Sequence, residues 1–287
     1  MFPRGAEVAM PSDETGHRYS VADIDITKPN IARVYDCFLG GKDNFEADRE
    51  FVRQSVEIVP KAPMAARVNR AFLRRVVRYL VVDAELTQFL DIGSGLPTQG
   101  NVSEVAHAID PAIHVVHVDN DPIVYTHSKA LLADNWTTDI VVGDIRRPAE
   151  IMADPDVRRL IDFGQPVGLL LFAILHHVED EDNPGLIAAQ LRGAMPPGSY
   201  LALSSFHLPG PELPEVRAQS IEGEKLLRGT LGSGRWRERE EIESWFGDWE
   251  LLEPGVVPLP DWRPEPGVQV LRDEFYHGFV GGVARKP

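Results

Sequence analysis

The sequence predicts an α/β fold, in which a mostly parallel sheet carries helices on both faces. Apolar runs typical of buried strands alternate with segments whose apolar residues recur at three- and four-residue steps, as on one face of a helix. Several strand-like runs also end beside an acidic residue and a glycine. Strands that are separated by helices pair in parallel, because each connection crosses the sheet before the next strand begins.

The composition limits the class of protein. The chain has 287 residues, of which 43% are hydrophobic, enough for one large domain with a sizeable core. The formal net charge of -15 argues against nucleic acid and anionic membranes as partners, because their phosphates would be repelled. No apolar run reaches membrane-spanning length, and the single cysteine, Cys37, excludes an internal disulfide. We therefore expect a cytoplasmic protein.

The chain divides into a tail, a helical region and a core. Residues 1–26 mix proline, glycine and acidic residues without periodicity, so we expect a flexible tail. Helical spacing of apolar residues, broken at Gly40-Gly41, then predicts helices over 27–82 that form a cap or lid. We expect 27–287 to be a single domain, whose core spans 83–287.

The first strand ends in a glycine turn. It runs through Phe89 and Leu90 to Asp91-Ile92-Gly93-Ser94-Gly95. Glycine permits backbone dihedrals and a close ligand approach that a Cβ would block. Because open α/β sheets bind ligands outside the carboxyl ends of their strands, we expect the ligand site to begin here. Asp91 could instead brace the turn.

Acidic residues follow the next two strands. The strand at 114–118 leads to Asp119-Asn120, and the strand at 140–142 leads to Gly143-Asp144. A carboxylate after the second strand can accept both hydroxyls of a ribose, and one after the third can accept an adenine amino hydrogen. Either acid could instead cap a helix. Together they predict an adenosine site.

The fourth strand, at 167–174, is a continuous apolar run suited to the centre of the sheet, and His176 and His177 follow it. The remaining predicted strands are 200–204, 249–259 and 275–284, which make seven in all. The polar segment 209–234 is partly helical in pattern and could cover the site.

Glycine spacing separates two classes of nucleotide enzyme. Dinucleotide-binding dehydrogenases and methyltransferases both place a glycine turn after the first strand and an acid after the second. The dinucleotide fingerprint needs a further glycine where Thr98 stands. The sequence therefore favours a methyltransferase over a dehydrogenase.

Several stretches carry a family resemblance. They are Lys28-Pro29-Asn30-Ile31-Ala32-Arg33-Val34-Tyr35-Asp36, Gly40-Gly41-Lys42-Asp43-Asn44-Phe45, Leu96-Pro97-Thr98 and Asn101. With the strand-end acids they resemble the class I S-adenosylmethionine-dependent methyltransferases, and more narrowly a bacterial family of S-adenosyl methyltransferases first catalogued as a domain of unknown function. The resemblance extends over nearly the whole chain from Thr27. It implies a Rossmann-like fold, S-adenosylmethionine as cofactor and methyl transfer as activity.

The resemblance also implies which residues contact the cofactor. The glycine turn would face its methionine half, Asp119 its ribose and Asp144 its adenine. The implied contacts are Asp91, Gly93, Ser94, Gly95, Asp119, Asn120, Asp144, Ile145, Phe172 and Ala173.

The N-terminal signature predicts a lid that adds Tyr35 and Asn44 to the cofactor residues. The Tyr35 ring could face the sulfonium, or its hydroxyl the carboxylate. Arg33, Lys42 or Asn44 could pair with the methionine carboxylate. The alternative is that Gly40-Gly41 is only a tight helix stop.

His176 and His177 are the candidate catalytic residues. Methyl transfer is an in-line displacement, in which the protein mainly aligns the reactants and excludes water. A base is needed only if the acceptor must lose a proton, and histidine titrates near neutrality. Either histidine could instead hydrogen-bond a loop or line the pocket. Adjacent histidines point apart, so we expect no metal site.

We expect methyl transfer to a small-molecule acceptor, with the reacting atom left open between oxygen, nitrogen and carbon. The alternative is a protein that binds S-adenosylmethionine or S-adenosylhomocysteine without catalysis, which predicts a closed acceptor side. The acidic balance argues against nucleic acid as the acceptor. The oligomeric state is left open.

Overall fold

The computed structural model describes residues 25–97, 100–132, 135–265, 267, 272 and 276–287. Of the predicted tail, only residues 25 and 26 lie within this part of the chain, and Thr98 lies outside it. Among the described residues, we find no helix with both the length and the apolar character needed to cross a membrane.

Three helices precede the sheet. They are α1 (Ile31–Leu39), α2 (Glu46–Ile58) and α3 (Ala62–Val82), and α1 packs against both of the others. Helix α1 begins where the Asn30 side chain accepts hydrogen bonds from the backbone N–H groups of Ala32 and Arg33. It ends at Gly40, whose φ of 81° suits a residue without a Cβ.

Five parallel strands form the first part of the sheet. They are β1 (Gln88–Ile92), β2 (His114–Asp119), β3 (Thr138–Val142), β4 (Gly168–Phe172) and β5 (Tyr200–Phe206). They lie in the order β3-β2-β1-β4-β5, so the direction of progression reverses between β1 and β4, where Leu90 pairs with Leu169. Open α/β sheets bind ligands at such a switch point.

Three antiparallel strands complete the sheet. Strand β8 (Phe279–Arg285) pairs with β5, and the short strands β6 (Glu250–Leu251) and β7 (Val257–Pro258) both pair with β8. Within the described residues the sheet therefore has eight strands rather than the predicted seven. The prediction of one strand over 249–259 is wrong because Pro254 has no N–H to donate and Gly255, at a φ of 86°, turns the chain between β6 and β7.

Helices cover both faces of the sheet. On one face, α3 and α4 (Val102–His107) bury Phe72 and Val102 against Phe89. On the other face, α8 (Pro184–Ala194) and α10 (Arg239–Ser244) bury Leu191 and Ile242 with Leu201. Helices α5 (Pro122–Leu132), α6 (Pro148–Ala153) and α7 (Pro155–Leu160) fill the connections around β3. The predicted α/β class, with a mostly parallel sheet between helical layers, is confirmed.

Two further elements lie beside the carboxyl ends of the strands. A short 3-10 helix, Leu175–His177, follows β4 directly. The polar segment predicted to be partly helical contains α9 (Pro214–Leu231), which packs against α2. Helices α2 and α9 thus contact each other near the same end of the sheet.

Candidate functional site

A cavity of about 430 Å³ lies at the carboxyl ends of β1 to β4, within the size range of small-molecule sites. It extends from these strand ends to a region lined by α1, α2 and α9. We call the second region the acceptor chamber; its walls include Phe38, Phe51, Ile58, Phe206, Leu227 and Trp236. Of the predicted site residues, those lining the cavity are Tyr35, Asp91, Gly93, Ser94, Gly95, Asp119, Asn120, Asp144, Ile145, Phe172, Ala173, His176 and His177.

The glycine turn after β1 needs its glycines. Gly93 and Gly95 have φ values of 77° and 66°, which residues with a Cβ rarely adopt. A Cβ on Gly93 would also come within 2.6 Å of the Ile174 side chain. The Gly93 N–H donates to the carbonyl of Val118 at 2.7 Å, which ties the turn to the end of β2.

Ser94 presents a hydroxyl with an unused hydrogen-bonding capacity. Its Oγ is buried and has no hydrogen-bond partner among the described residues. A buried hydroxyl without a partner is costly, and a ligand in the cavity can supply the missing bond.

Asp91 is held by a buried histidine. His117 Nδ1 lies 2.9 Å from Asp91 Oδ2, and His117 Nε2 lies 3.2 Å from the Ser103 hydroxyl. Since a carboxylate only accepts, Nδ1 carries the proton of this bond. One carboxylate oxygen of Asp91 is thereby fixed by the protein, while the residue still lines the cavity.

Asp119 is positioned by two backbone groups. Its Oδ2 accepts from Gly95 N–H at 2.8 Å and its Oδ1 from Asp121 N–H at 3.0 Å. Burial raises the pKa of the Asp119 carboxyl to about 6, although these two bonds act in the opposite direction. The carboxylate is thus partly desolvated and still has lone pairs for a ligand. Its neighbour Asn120 is exposed at the rim.

Asp144 is paired with an arginine. Both of its carboxylate oxygens accept from Arg146, with Nε 2.9 Å from Oδ2. Burial alone would raise the pKa of Asp144, but the bonds from Arg146 hold it below its ordinary value. Ile145 is buried beside it.

The end of β4 forms the far wall. The Phe172 ring meets Phe72 edge to face, with centroids 5.7 Å apart. Ala173 has a φ of 56°, and its N–H donates to the Ser204 hydroxyl at 3.0 Å. This bond anchors the turn that leads into the histidine pair.

The two histidines differ in what they contact. His176 is 1% exposed, and its Nδ1 accepts from the Phe206 N–H at 3.2 Å. His177 is half-buried, and its Nδ1 lies 3.0 Å from the Ser233 hydroxyl. Burial lowers the pKa of His176 well below its ordinary value and that of His177 to about 4, so both rings are neutral at pH 7.

Tyr35 lines the cavity, but its hydroxyl is engaged within the protein. It accepts from Asn69 Nδ2 at 3.0 Å and donates to the Ala66 carbonyl at 3.3 Å. Asn69 Oδ1 in turn accepts from the Ser204 hydroxyl at 2.7 Å. This network links α1, α3 and β5, which leaves the Tyr35 ring rather than its hydroxyl for a ligand.

Asn44 does not lie in the cavity wall. Its side chain donates to Asp36 Oδ2 at 2.9 Å and to the Gly41 carbonyl at 3.0 Å, where it closes the turn between α1 and α2. Arg33 is likewise buried away from the cavity, with Nε 2.8 Å from Asp48 Oδ2. The structure therefore brings neither residue to the other predicted cofactor contacts.

Other cavity residues were absent from the sequence prediction. Asn30 donates to Asp121 Oδ2 at 2.5 Å and so joins the start of α1 to the loop after β2. Arg70 also lines the cavity, with Nη1 3.4 Å from the carbonyl of Gly100, just before α4, and its guanidinium 5.8 Å from the Tyr35 ring centroid. A signal for Arg70 existed, because it is a charged residue among the buried positions of α3.

The described residues offer no group of three or more histidine, cysteine, aspartate or glutamate side chains placed to hold a metal ion. The polar groups of the cavity are instead arranged singly or in pairs around strand ends. They suit an organic ligand with several hydrogen-bonding groups.

Comparisons with known proteins agree on one family. The sequence model of the S-adenosyl methyltransferase family matches residues 17–287. A crystal structure from Thermobifida fusca YX, assigned as a methyltransferase, is 43% identical, covers 91% of this chain and 96% of its own, and has a TM-score of 0.85. The crystal structure of a DUF574 family protein from Streptomyces avermitilis MA-4680 is 36% identical. It covers 92% of this chain and 100% of its own, and its TM-score is also 0.85. No curated protein matches the chain.

Proposed function

Because the chain belongs to the S-adenosyl methyltransferase family, we propose that it transfers a methyl group from S-adenosylmethionine to a small molecule held in the acceptor chamber. Membership in the family confirms the resemblance read from the sequence, and with it the cofactor and the Rossmann-like fold. The observation that carries the small-molecule proposal is that one cavity of small-molecule size joins the glycine turn to the acceptor chamber.

The cavity residues fit the methionine end of this cofactor. The Ser94 hydroxyl, which lacks a protein partner among the described residues, can donate to its carboxylate, and the half-engaged Asp91 carboxylate can accept from its amino group. Arg70 supplies a guanidinium nearby that can pair with the carboxylate. Gly93 and Gly95 allow the chain to approach without a Cβ in the way.

The adenosine end fits the next two strands. Asp119 would accept from the ribose hydroxyls, since each of its oxygens keeps a lone pair beyond its backbone bond. Asp144 would accept from the adenine amino group, with Ile145 against the ring. Asn120 at the rim and Phe172 and Ala173 on the far wall complete the set.

S-adenosylmethionine supplies an electrophilic methyl group on a sulfonium sulfur. The residues of this chain hold the acceptor in line with that group and exclude water, which in well-oriented systems lowers a barrier by roughly 7 to 11 kcal/mol. Helices α1 to α3 and helix α9 line the cavity, so they would limit the access of water.

His177 is the better placed of the two histidines to receive a proton. His176 is stacked on Phe206 and its Nδ1 is already bonded to a backbone N–H. His177 uses Nδ1 toward Ser233 and keeps Nε2 for the ligand. A neutral imidazole with an open nitrogen can accept a proton from the acceptor.

The non-catalytic alternative is less well supported. It predicts a closed acceptor side, whereas the cavity continues past the histidines into the acceptor chamber. The net charge of -15 and the cavity volume of about 430 Å³ support a small molecule rather than a nucleic acid as the acceptor. The acidic composition and the single cysteine support a cytoplasmic location.

The experiment uses S-adenosylmethionine with an isotopically labelled methyl group and a bacterial extract divided into small-molecule, protein and nucleic-acid fractions. We expect the label to appear in a compound of the small-molecule fraction, detected by mass spectrometry. Boiled protein is the control. Label that enters only protein or nucleic acid would contradict the proposal.

A further inference from the structure

An aromatic stack extends from the histidine pair into the acceptor chamber. The rings of His176 and Phe206 have centroids 3.9 Å apart and planes inclined by 22°, and those of Phe206 and Trp236 are 4.2 Å apart and inclined by 7°. The other walls of the chamber are mostly aliphatic or aromatic side chains such as Phe51 and Leu227, with the hydroxyls of Ser55 and Ser233 among them. A flat aromatic ligand gains most from such a surface, because ring pairs add specific stacking to the burial of apolar area.

Helix α9 approaches this stack at a glycine. Gly223 is buried and lines the cavity, and a Cβ there would lie 3.5 Å from the Trp236 ring and 3.8 Å from Val59. Both separations are ordinary van der Waals contacts, so a Cβ alone fits. A larger side chain would press on Trp236 and Val59, which also line the cavity, or occupy the cavity itself, and in either case it would narrow the chamber beside the stack.

The acceptor chamber offers no cation to a ligand. The described residues that line the whole cavity include two arginines and no lysine. Both arginines lie at the cofactor end, where Arg70 is beside Gly100 and Arg146 is bonded to Asp144. A carboxylate or phosphate in the chamber would be buried without a partner, which is strongly unfavourable. The chamber therefore selects an uncharged ligand.

The ligand also needs a group that can give a proton to a weak base. When His177 Nδ1 donates to the Ser233 hydroxyl, Nε2 carries the lone pair that can accept a proton. Burial lowers the pKa of His177 to about 4, so its imidazole is a weak base. A phenolic hydroxyl, with a pKa of about 10, loses its proton far more readily than an aliphatic alcohol.

We propose that the methyl acceptor is a flat, uncharged aromatic compound that presents a phenolic hydroxyl to His177; this assignment rests on the proposed function. The phenol oxygen forms the new bond to the methyl carbon, and the bond from that carbon to sulfur breaks with its electron pair on sulfur. The phenol proton passes to His177 Nε2 and then to water. The products are an aryl methyl ether and S-adenosylhomocysteine.

The test is a calorimetric titration of the protein saturated with S-adenosylhomocysteine. The probe is β-naphthol, and the comparison ligands are β-naphthoate, which is an anion, and a decalin alcohol, which is not aromatic. The variant Gly223→Leu narrows the chamber beside Trp236. The matched control is Gly229→Leu, the same substitution at an exposed position of α9 where a Cβ meets nothing within 4 Å.

We expect β-naphthol to bind at least about tenfold more tightly than either comparison ligand. Binding should be lost in Gly223→Leu, retained in Gly229→Leu, and followed by formation of the naphthyl methyl ether when S-adenosylmethionine is supplied. Absence of β-naphthol binding, equal binding of a comparison ligand, or unchanged binding in Gly223→Leu would overturn the acceptor class. Failure of S-adenosylhomocysteine itself to bind, which is measured first, would instead contradict the proposed function.

Discussion

The backbone N–H of Gly95 donates a 2.8 Å hydrogen bond to Oδ2 of Asp119. Asp119 Oδ1 accepts from the Asp121 N–H at 3.0 Å, and Asn30 Nδ2 donates to Asp121 Oδ2 at 2.5 Å. The glycine turn after β1, the acid after β2 and the start of α1 are therefore one hydrogen-bonded unit. A ligand that contacts one part of this unit is coupled to the other two.

Removal of the Asp119 carboxylate should weaken the cofactor complex. In Asp119→Ala the ribose hydroxyls lose a charged acceptor, which is worth about 1.5–3 kcal/mol, so the dissociation constant of S-adenosylmethionine should rise roughly tenfold to a hundredfold. Calorimetry measures this constant. The control is Asp156→Ala, an exposed acid on α7, which should bind like the wild type. Unaltered affinity in a folded Asp119→Ala protein would refute the ribose assignment.

Cofactor affinity should depend on pH through the same carboxyl. Burial raises the pKa of Asp119 to about 6. In the protein without cofactor this carboxyl is therefore mostly protonated below pH 6, and above pH 6 it is mostly ionised and able to accept from the ribose hydroxyls. The affinity for S-adenosylmethionine should be highest above pH 7 and fall as the pH drops through 6. At pH 5 it should be about tenfold lower, because only about a tenth of the Asp119 carboxyls are ionised there. Titrations at several pH values check this. Asp119→Asn should remove this step; an identical step in that variant would assign it to another group.

The contact between Asn30 and Asp121 should slow cofactor release. Asn30→Ala loses both this contact and the cap of α1, while Asn30→Ser keeps a capping hydroxyl that is too short to reach Asp121. Both variants should release the cofactor faster in stopped-flow experiments. Only Asn30→Ala should also lose about 1 kcal/mol of unfolding free energy, measured with denaturant. A wild-type release rate in Asn30→Ser would show that the contact does not hold the lid.

The Tyr35 hydroxyl should matter for stability and not for cofactor affinity. Tyr35→Phe leaves the Asn69 amide without its 3.0 Å acceptor and should cost about 1–3 kcal/mol of unfolding free energy. Because the hydroxyl bonds within the protein, the dissociation constant of S-adenosylmethionine should stay within about twofold. Thermal denaturation and calorimetry give the two quantities. A large loss of affinity with unchanged stability would show instead that the Tyr35 hydroxyl contacts the cofactor.

Substitution of His177 should separate catalysis from cofactor binding. His177→Ala should lower kcat by roughly a hundredfold to ten-thousandfold, as expected for loss of a general base, without weakening the binding of S-adenosylmethionine. Since the pKa of His177 is lowered to about 4, the histidine stays neutral and kcat should not fall between pH 8 and pH 6 on its account. Steady-state rates over this range check both statements. A wild-type kcat in His177→Ala would show that His177 is not the general base.

Strand ends could be predicted from the sequence because each is marked locally. Asp91, Asp119 and Asp144 each lie at or just after an apolar run, and parallel strands bring their carboxyl ends to one edge. All three acids accordingly line one cavity. The edge strands were harder to predict, because β6 and β7 are each two residues long and are defined by pairing with β8.

Long-range packing could not be predicted in the same way. Trp236 lines the cavity where it stacks on Phe206 at the end of β5, a contact between two segments that no local pattern connects. In the sequence, Asn44 is a polar residue beside a glycine pair and was therefore predicted to contact the cofactor. In the structure its amide donates instead to Asp36 and to the Gly41 carbonyl within the turn. Polar residues near glycines can serve either a turn or a ligand, and only the three-dimensional partners distinguish the two.

Calorimetric titration of the wild-type protein with S-adenosylmethionine, S-adenosylhomocysteine and NAD tests the central claim most directly. We predict saturable binding of the first two at one site per chain, competition between them, and no binding of NAD. The same solution, supplied with labelled S-adenosylmethionine and the small-molecule fraction, should then form S-adenosylhomocysteine. Binding of NAD in the absence of any response to S-adenosylmethionine would contradict the account.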